Sequence, residues 1–393
     1  MKMEEWKECK LGEIATITKL AGFEFTKYIK YNETGEIIAL RALNLRNGRL
    51  DLTEVKHIDK SVSDALPRSK LYKGEILFTY TGNGYGDCAL VDEDDKYHLA
   101  PNICKISPNK KIADSNFLFQ TIRSNAFYKQ VSNYIGGSSQ PTIPMETIRQ
   151  LKVKLPPLPT QQKIAAILSS LDDKIELNNK INTNLEQQAQ ALFKNWFVDF
   201  EPFGGKIPAE WKVGKLSDIA EITMGQSPDG KSYNEDGIGT VFYQGRAEFG
   251  TRFPTRRLFT TEPKRIAHKF DTLMSVRAPV GDLNIANEEC CIGRGLAAMH
   301  SKDDHQSFVH YTVQALRPQL DVFNGEGTVF GCINKDALNN MDIVIPTKEE
   351  LERFEKIVAT LDADIYNRSK ENDRLKNIRD TLLQKLMNGE IEV

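Results

Sequence analysis

The chain has 393 residues, 40% of them hydrophobic and 27% charged, and its formal net charge is −2. The length predicts two or more domains, and no apolar run approaches the roughly 18 residues of a membrane-spanning helix. The charged start Met1–Trp6 and six scattered cysteines, none in zinc-ligand spacing, predict a cytoplasmic protein with reduced thiols and no bound metal.

Residues 1–155 are predicted to form a first domain of mixed α/β structure. Glycine, proline and asparagine separate short β-branched or aromatic runs such as Glu75-Ile-Leu-Phe-Thr-Tyr80, a pattern typical of strands joined by turns. The segment Pro156-Pro-Leu-Pro159 ends this domain, because the residue before a proline is disfavoured in a helix and a new element begins there.

Residues 156–203 are predicted to contain one long helix. From Thr160 the apolar positions follow the 4-3 spacing of a coiled-coil stripe, over about 40 residues or roughly 60 Å. The stripe consists of Ile164, Leu168, Leu171, Ile175, Asn178, Asn182, Leu185, Ala189, Leu192 and Trp196.

The second half of the chain repeats the first. The segment Trp6–Thr18 returns as Trp211–Thr223, and Leu151–Pro156 returns as Met341–Pro346. The repeat predicts a second mixed domain over residues 204–346, with a strand-like run at Thr272–Val276.

A second long helix is predicted over residues 347–393. The matching positions pair Leu171-Asp172 with Leu361-Asp362 and continue through the helix without a gap. The corresponding stripe consists of Phe354, Val358, Leu361, Ile365, Arg368, Asn372, Leu375, Arg379, Leu382 and Leu386.

The two stripes are expected to bury each other. Both become polar near the middle, and antiparallel packing would align these centres and give a pseudo-two-fold repeat with the domains at opposite ends. Two independent amphipathic helices, each covering its own domain, are the alternative. The predicted helix interface comprises Ile164, Leu168, Leu171, Ile175, Asn182, Leu185, Leu192, Phe354, Val358, Leu361, Ile365, Asn372, Leu375 and Leu382.

The first helical region resembles the central conserved region of the specificity subunits of type I restriction–modification enzymes. The similar stretch runs from Leu155-Pro-Pro-Leu-Pro-Thr-Gln-Gln-Lys through Asp172 and ends at Ala191-Leu-Phe-Lys-Asn-Trp-Phe-Val-Asp-Phe200. Three phrases, Gly136–Pro144, Met274–Asp282 and Cys291–Leu296, are similar to motifs of target-recognition domains in that family. The resemblance spans the whole chain and departs mainly at Arg368 and Arg379, which occupy stripe positions.

The resemblance implies an α+β fold in which two long antiparallel helices separate two target-recognition domains. Each domain would read one half of a split double-stranded DNA target, and the helices would set the spacer and dock two methyltransferase subunits. These partners would hold S-adenosylmethionine and flip out an adenine for methylation. Restriction subunits would add ATP- and Mg²⁺-dependent translocation and cleavage, so no cofactor is expected in this chain.

The sequence contains no motif for aminomethylation and no phosphate-binding loop with its lysine. One nuclease-like arrangement exists, Asp229 followed at a distance by Glu262-Pro-Lys264, but Glu54-Val-Lys56 shows how common such matches are in a charged chain. His300 and His305 lack the spacing of metal ligands. The sequence therefore favours a non-catalytic chain.

Candidate DNA-reading groups lie on glycine-rich or turn segments, where arginine, asparagine and glutamine supply the donors and acceptors that read base edges. Lysines such as Lys27, Lys30 and Lys231 are expected to contact phosphates. The predicted DNA-binding residues are Arg41, Asn44, Arg46, Asn47, Arg49, Thr81, Asn83, Tyr85, Ser138, Ser139, Gln140, Lys231, Gln244, Arg246, Arg252, Arg256, Arg257, Arg277, Arg294 and Thr328.

Three functions remain open from the sequence. The first is a DNA-recognition subunit, which a net charge of −2 permits if partner subunits supply much of the phosphate contact. The second is a self-contained methyltransferase or nuclease. The third is a coiled-coil adaptor between proteins without a role at DNA.

Overall fold

The computed structural model of the chain describes residues 6–82, 84–134, 141–325, 331–387 and 390–391. It divides into two compact units, one made of residues 1–176 with 372–393 and the other of residues 177–371. Two helices of 40 residues each contribute one part to each unit. No helix in the described ranges is long and apolar enough to cross a membrane.

The first unit combines short strands and helices with the beginning of the first long helix and the end of the second. Its elements are β1 (Lys7–Lys10), α1 (Leu11–Ile14), β2 (Ala15–Lys19), α2 (Gly22–Tyr28), β3 (Ile37–Leu40), β4 (Leu45–Arg46), β5 (Arg49–Leu50), β6 (Lys56–Ile58), α3 (Lys60–Ala65), β7 (Ile76–Thr79), β8 (Cys88–Leu90), β9 (Tyr97–Leu99), β10 (Ile103–Pro108), α4 (Ser115–Arg123), α5 (Asn125–Ser132), α6 (Met145–Gln150), β11 (Lys152–Leu155) and α7 (Leu158–Phe197).

The second unit has a similar series of elements. They are β12 (Lys212–Lys215), α8 (Leu216–Ile219), β13 (Ala220–Met224), β14 (Tyr233–Asn234), β15 (Thr240–Tyr243), β16 (Leu258–Thr260), β17 (Ile266–Ala267), β18 (Thr272–Ser275), β19 (Leu283–Ile285), β20 (Cys290–Ile292), β21 (Leu296–Ser301), α9 (Gln306–Ala315), α10 (Arg317–Asp321), α11 (Lys335–Asn339), β22 (Asp342–Ile345) and α12 (Lys348–Met387).

The sheets show the same topology in both units. A four-stranded antiparallel sheet has the order β2-β10-β7-β8 in the first unit and β13-β21-β18-β19 in the second. The strand before each of these sheets pairs with the strand that leads into a long helix, β1 with β11 and β12 with β22. A second sheet is built around a parallel pair, β3 with β9 and β15 with β20. The predicted fold class, two mixed α/β regions in an internal repeat with two long helices, is therefore confirmed.

In the first unit the four-stranded sheet and α4 pack against the long helices. Phe117, Leu118 and Ile122 of α4 are buried in the same cluster as Ile164 and Leu168 of α7. The helix supplies this face because its apolar residues recur every three or four positions. The core of the domain is thus closed by its own part of the helix pair.

The second unit is closed by an aromatic cluster. Phe354 of α12 is fully buried, and its ring centroid lies 5.0 Å from that of Phe197, 5.8 Å from that of Phe193 and 6.1 Å from that of Trp196. Phe308 of α9 contributes to the same cluster. The edge-to-face and tilted ring geometries are those that aromatic pairs prefer.

The helices run antiparallel within each unit. In the first unit Asp172 pairs with Arg379, and Ile164 joins the cluster of Leu386, further toward the end of α12. In the second unit the Asn178 amide donates to Glu371 and the Asn182 amide donates to Ser369, at 2.7 and 3.3 Å. The antiparallel interpretation is confirmed over the two independent amphipathic helices.

The two arginines on the second stripe have acidic partners. Arg379 donates to Asp172 at 2.7 Å, and Arg368 donates to Asp364, four residues earlier on its own helix, at 3.0 Å. A guanidinium can occupy a half-buried stripe position when a carboxylate compensates its charge. At these two positions the apolar stripe is therefore replaced by ion pairs.

Burial of a histidine in the second unit gives a pH prediction. His310 lies on α9 next to Thr272, and burial together with the nearby charge of Arg252 lowers its pKa well below the usual value. The unfolded chain binds the proton more readily, so stability is complete above about pH 6.5 and falls as the pH drops below it, by about 1.4 kcal/mol per pH unit. We expect His310→Gln to reduce the loss of stability between pH 6.5 and 5.5, measured by urea unfolding followed through tryptophan fluorescence; His98, whose pKa is also lowered by burial, keeps its own share of the dependence.

The control for this prediction is His268→Gln, because the His268 side chain is 63% exposed. This variant should keep the acid sensitivity of the wild type. Equal pH dependence of the wild type and the His310 variant would contradict the prediction.

Candidate nucleic-acid interface

Loop A (residues 41–54) is a compact turn held together by a buried asparagine. Asn44 is fully buried, and its amide donates to the main-chain oxygens of Asp51 and Glu54 at 2.8 and 2.9 Å. Its side-chain oxygen accepts from the main-chain nitrogen of Arg41 at 3.0 Å. Asn47 follows with a φ of 53°, in the left-handed region that asparagine tolerates. Asn44 thus shapes the loop, while Arg46 and Asn47 are exposed at its tip.

Loop B (residues 244–257) has the same construction in the second unit. The nearly fully buried Glu248 accepts from the main-chain nitrogen of Gly245 at 3.1 Å and pairs with Arg257. Its main-chain oxygen accepts from the Thr255 amide at 2.8 Å, as that of Asn44 accepts from Asp51 in loop A at 2.7 Å. The two loops are therefore structural equivalents, although their sequences match poorly.

Several predicted cationic residues are exposed. The Arg46 side chain is 65% exposed and lies 3.7 Å from Asp51. Lys231, Arg277 and Arg294 are also exposed, and within the described ranges no ion pair involves them. These side chains are available to a polyanion.

Other exposed arginines of the second unit are engaged with carboxylates. Arg256 forms a bidentate pair with Glu288 at 2.6 Å for both bonds, and Arg246 pairs with Asp282. Exposed pairs of this kind contribute little to stability and exchange partners readily. The guanidinium groups of these arginines therefore lie at the surface of the domain and can be released to another anion.

Two predicted arginines contact the long helices, and the Arg49 side chain remains 36% exposed. Arg49 of loop A donates to the main-chain oxygen of Asp172 at 2.6 Å and pairs with Glu176, both on α7. The Arg252 side chain of loop B is only 9% exposed and pairs with Asp362 on α12 and Glu186 on α7. Their guanidinium groups thus connect the loops to the long helices.

The glycine segment after β7 carries stacked tyrosines. The rings of Tyr85 and Tyr128 lie 5.9 Å apart and within 9° of parallel, and the Tyr128 hydroxyl donates to that of Tyr85 at 3.2 Å. This hydrogen bond, together with burial, raises the pKa of Tyr128. Thr81 is half-buried and forms a β-bridge with Thr142.

Of the other predicted DNA-binding residues, Arg41 donates to Glu54 and Gln244 is exposed. Five predicted residues lie outside the described residues: Asn83, Ser138, Ser139, Gln140 and Thr328.

The predicted helix-interface residues are all buried or half-buried. Ile164, Leu168, Ile175, Phe354, Val358, Ile365 and Asn372 are buried. Leu171, Asn182, Leu185, Leu192, Leu361, Leu375 and Leu382 are half-buried.

Asp172 and Asp362, which bind arginines in the structure, were not among the functional residues predicted from the sequence. Burial by itself would raise the pKa of Asp172. The positive charge of Arg123 and the hydrogen bonds from Gln120 and Arg379 together outweigh burial, so the pKa of Asp172 is lowered. The repeated pair Leu171-Asp172 and Leu361-Asp362 was the available signal, because a charged residue recurred beside a position of the apolar stripe.

The acidic residue of the nuclease-like match has a local structural role. Asp229, the acid of the nuclease-like match, accepts from the main-chain nitrogen of Lys231 at 2.9 Å and so caps a turn. No group of three or more histidine, cysteine, aspartate or glutamate side chains that could hold a metal ion occurs in the described ranges. The arrangement offers hydrogen-bond donors and cations for binding.

Comparisons with known proteins agree on one family. Residues 3–187 and 208–377 each match the family described as the type I restriction modification DNA specificity domain. The chain is 31% identical over 370 residues to the putative type I restriction enzyme MjaX specificity subunit of Methanocaldococcus jannaschii, covering 90% of this chain and 87% of that protein. It is 28% identical to the HindI specificity subunit of Haemophilus influenzae, covering 99% of this chain and 100% of that protein.

A solved structure shares the fold. The crystal structure of the S subunit of a type I restriction–modification system from M. genitalium aligns with a TM-score of 0.60 at 16% identity, covering 98% of this chain and 97% of that one.

Proposed function

The chain belongs to the family of type I restriction–modification DNA specificity proteins, and from this membership we propose that it is the non-catalytic subunit that selects the DNA sequence for such a complex. It binds a bipartite target, and each mixed α/β domain reads one half. The two long helices set the spacer between the halves and dock the methyltransferase subunits.

One observation carries this proposal. The family match occurs twice, once over each half of the chain, and the two units repeat the same sheet topology around their parts of the helix pair. A protein with two similar but non-identical domains is suited to a target with two different halves. The proposed domain bounds are 1–155 and 204–346, with helical regions at 156–203 and 347–393.

The partners and cofactors follow from this role. Two methyltransferase subunits supply S-adenosylmethionine chemistry on a flipped adenine, and restriction subunits supply ATP- and Mg²⁺-dependent translocation and cleavage. This chain itself holds none of these cofactors and works in the cytoplasm. Phosphate contacts need positive charge, and the net charge of this chain is −2, so the partner subunits make many of the phosphate contacts.

The proposed base-reading groups are the exposed ones. Arg46 and Asn47 project from loop A, and Arg277 and Arg294 lie exposed in the second domain. Arginine pairs with guanine and asparagine with adenine through two hydrogen bonds each, so these residues suit direct reading of base edges. Lys231 suits a phosphate contact that positions the protein.

The proposal is tested by methylation with defined components. We expect the purified chain with DNA, S-adenosylmethionine and Mg²⁺ to show no turnover, and the methyltransferase subunits to methylate a specific sequence only when the chain is added. Sequencing of the methylated adenines should reveal two short specific segments separated by a fixed gap. Methylation by the chain alone, or the same methylation pattern without it, would refute the proposal.

A further inference from the structure

Each unit contains a charged network that joins its domain to both long helices. The networks are centred on Asp172 in the first unit and on Arg252 in the second, which binds Asp362, the repeat equivalent of Asp172. Both networks include an arginine from a candidate DNA-reading loop, Arg49 from loop A and Arg252 from loop B.

In the first unit the central charge is negative. Asp172 of α7 accepts from Arg123 of α4 at 2.9 Å and from Arg379 of α12 at 2.7 Å. Arg49 donates to the main-chain oxygen of the same residue at 2.6 Å and pairs with Glu176 one turn later. Asp172, Arg123 and Arg379 all have side chains less than 20% exposed, namely 17%, 16% and 17%.

In the second unit the central charge is positive. Arg252 pairs with Asp362 of α12 and with Glu186 of α7. Asp362 also accepts from the Ser307 hydroxyl at 2.8 Å and from the Tyr311 hydroxyl at 3.1 Å, both on α9. The network therefore reaches the domain, loop B and both helices.

Such networks fix the orientation of the groups that they join more than they add to the free energy of unfolding. Buried ion pairs lose much of their attraction to desolvation, and apolar replacements are often as stable. Charge-assisted hydrogen bonds are directional, and a forked guanidinium accepts only a narrow range of partner positions. The apolar clusters already bind each domain to its helices, so the added feature of the networks is a defined orientation.

The networks are placed where orientation matters for reading DNA. Arg49 lies three residues after Arg46, which is exposed at the tip of loop A. Arg252 lies four residues before Arg256 in loop B. Arg49 also pairs with Arg46 across the β4–β5 hairpin, so a contact that fixes Arg49 to a helix transmits the position of that helix to the loop tip.

We propose that Arg49 and Arg252 are positioning residues that define the spacing at which the two half-sites are read. Arg49 fixes loop A to the long helices through Asp172 and Glu176. Arg252 fixes loop B to them through Glu186 and Asp362. This inference rests on the proposed function. It assigns to these two arginines the distance between half-sites and leaves base identity to the exposed residues.

The test compares substitutions on the two sides of one contact. Complexes of the full chain with methyltransferase subunits would methylate DNA carrying the two half-sites at the native spacing and at spacings one base pair shorter and longer. We expect Arg49→Met and Glu176→Gln each to raise methylation at the altered spacings relative to the native one by up to about fivefold, the ratio expected for an ion pair whose side chains are 36% and 40% exposed. Glu186→Gln should act in the same way through loop B.

The same experiment also measures which bases are preferred in each half-site, and this result serves as the control for the spacing measurement. Arg49→Met and Glu176→Gln should keep the bases of both half-sites, whereas the control Arg46→Met should weaken one half-site without changing the preferred spacing. Glu176 is an anion that pairs with Arg49, and a carboxylate repels phosphate, so an effect of Glu176→Gln on spacing with the base preference unchanged indicates that Arg49 acts through the helix. Urea unfolding of each variant confirms that the chain is folded.

Two results would overturn the inference. If Arg49→Met alters the base preference while Glu176→Gln has no effect, Arg49 contacts DNA. If spacing preference is unchanged in Glu176→Gln and Glu186→Gln, the networks do not set it, and this conclusion stands even where an arginine variant fails to fold. A wild-type complex that methylates no bipartite sequence would instead refute the proposed function, and with it this inference.

Discussion

Exchange of residues 204–346 for the corresponding segment of a family member with a different target is expected to change one half of the methylated sequence and to preserve the other half. The segment lies within the second unit, whose sheets and core are built from its own residues and its own parts of the helix pair. Because each mismatched base pair costs about 1–3 kcal/mol, two or more changed positions should reduce methylation of the original half-site by about thirtyfold or more. Sequencing of methylated adenines in exposed genomic DNA measures both halves at once.

The reciprocal exchange of residues 1–155 is the control for this experiment. It should change the opposite half of the target and preserve the half that the second domain reads. An unchanged target after either exchange, or a change in both halves after one exchange, would contradict the proposal that each domain reads one half independently.

The substitution Phe354→Ala is expected to destabilise the second unit by about 3–5 kcal/mol, the usual cost of truncating a buried phenylalanine. Phe354 is fully buried among Phe193, Trp196 and Phe197 of α7 and Phe308 of α9. Its loss opens a cavity at the contact between both helices and the domain. Urea unfolding followed by circular dichroism measures the free energy, and methylation by the assembled complex should fall with it.

Ile357→Ala is the matched control, since Ile357 lies on the same helix one turn later and is 43% exposed. We expect this variant to lose less than about 1 kcal/mol, because surface substitutions usually have small effects. A Phe354 variant as stable as the Ile357 variant would show that the aromatic cluster does not hold the helix pair to the domain.

Much of the fold was predictable because it depends on the spacing of apolar residues, on prolines and on a repeat, all of which can be read along the sequence. The 4-3 spacing from Ile164 onward is a local property of a helix, and the prolines before it mark where the helix begins; α7 starts at Leu158 and α12 at Lys348. The strand-like runs at residues 75–80 and 272–276 contain β7 (Ile76–Thr79) and β18 (Thr272–Ser275). The return of Trp6–Thr18 as Trp211–Thr223 predicted the repeated topology without any knowledge of contacts.

The candidate interface was less accessible to sequence reasoning. Arg46 and Arg49 are the same residue type in the same loop, yet one is exposed and the other is bound to Asp172 and Glu176, more than a hundred positions later in the chain. Asn44 has the donors and acceptors of a base-reading residue, but loop A uses them for its own main chain. The direction of a polar side chain depends on which distant groups fold against it, and spacing along the chain carries no record of that.

The sequence by itself determined the duplication, the two long helices and the family, because periodicity and repetition are properties of neighbouring residues and of their order. Only the tertiary structure decided that loops A and B are equivalents and that Arg49 and Arg252 face the helices. It also gave the stripe arginine Arg379 its partner, Asp172. The physical reason is that burial of a charge is tolerated only beside a compensating charge, and such partners are brought together by packing between segments far apart in the chain.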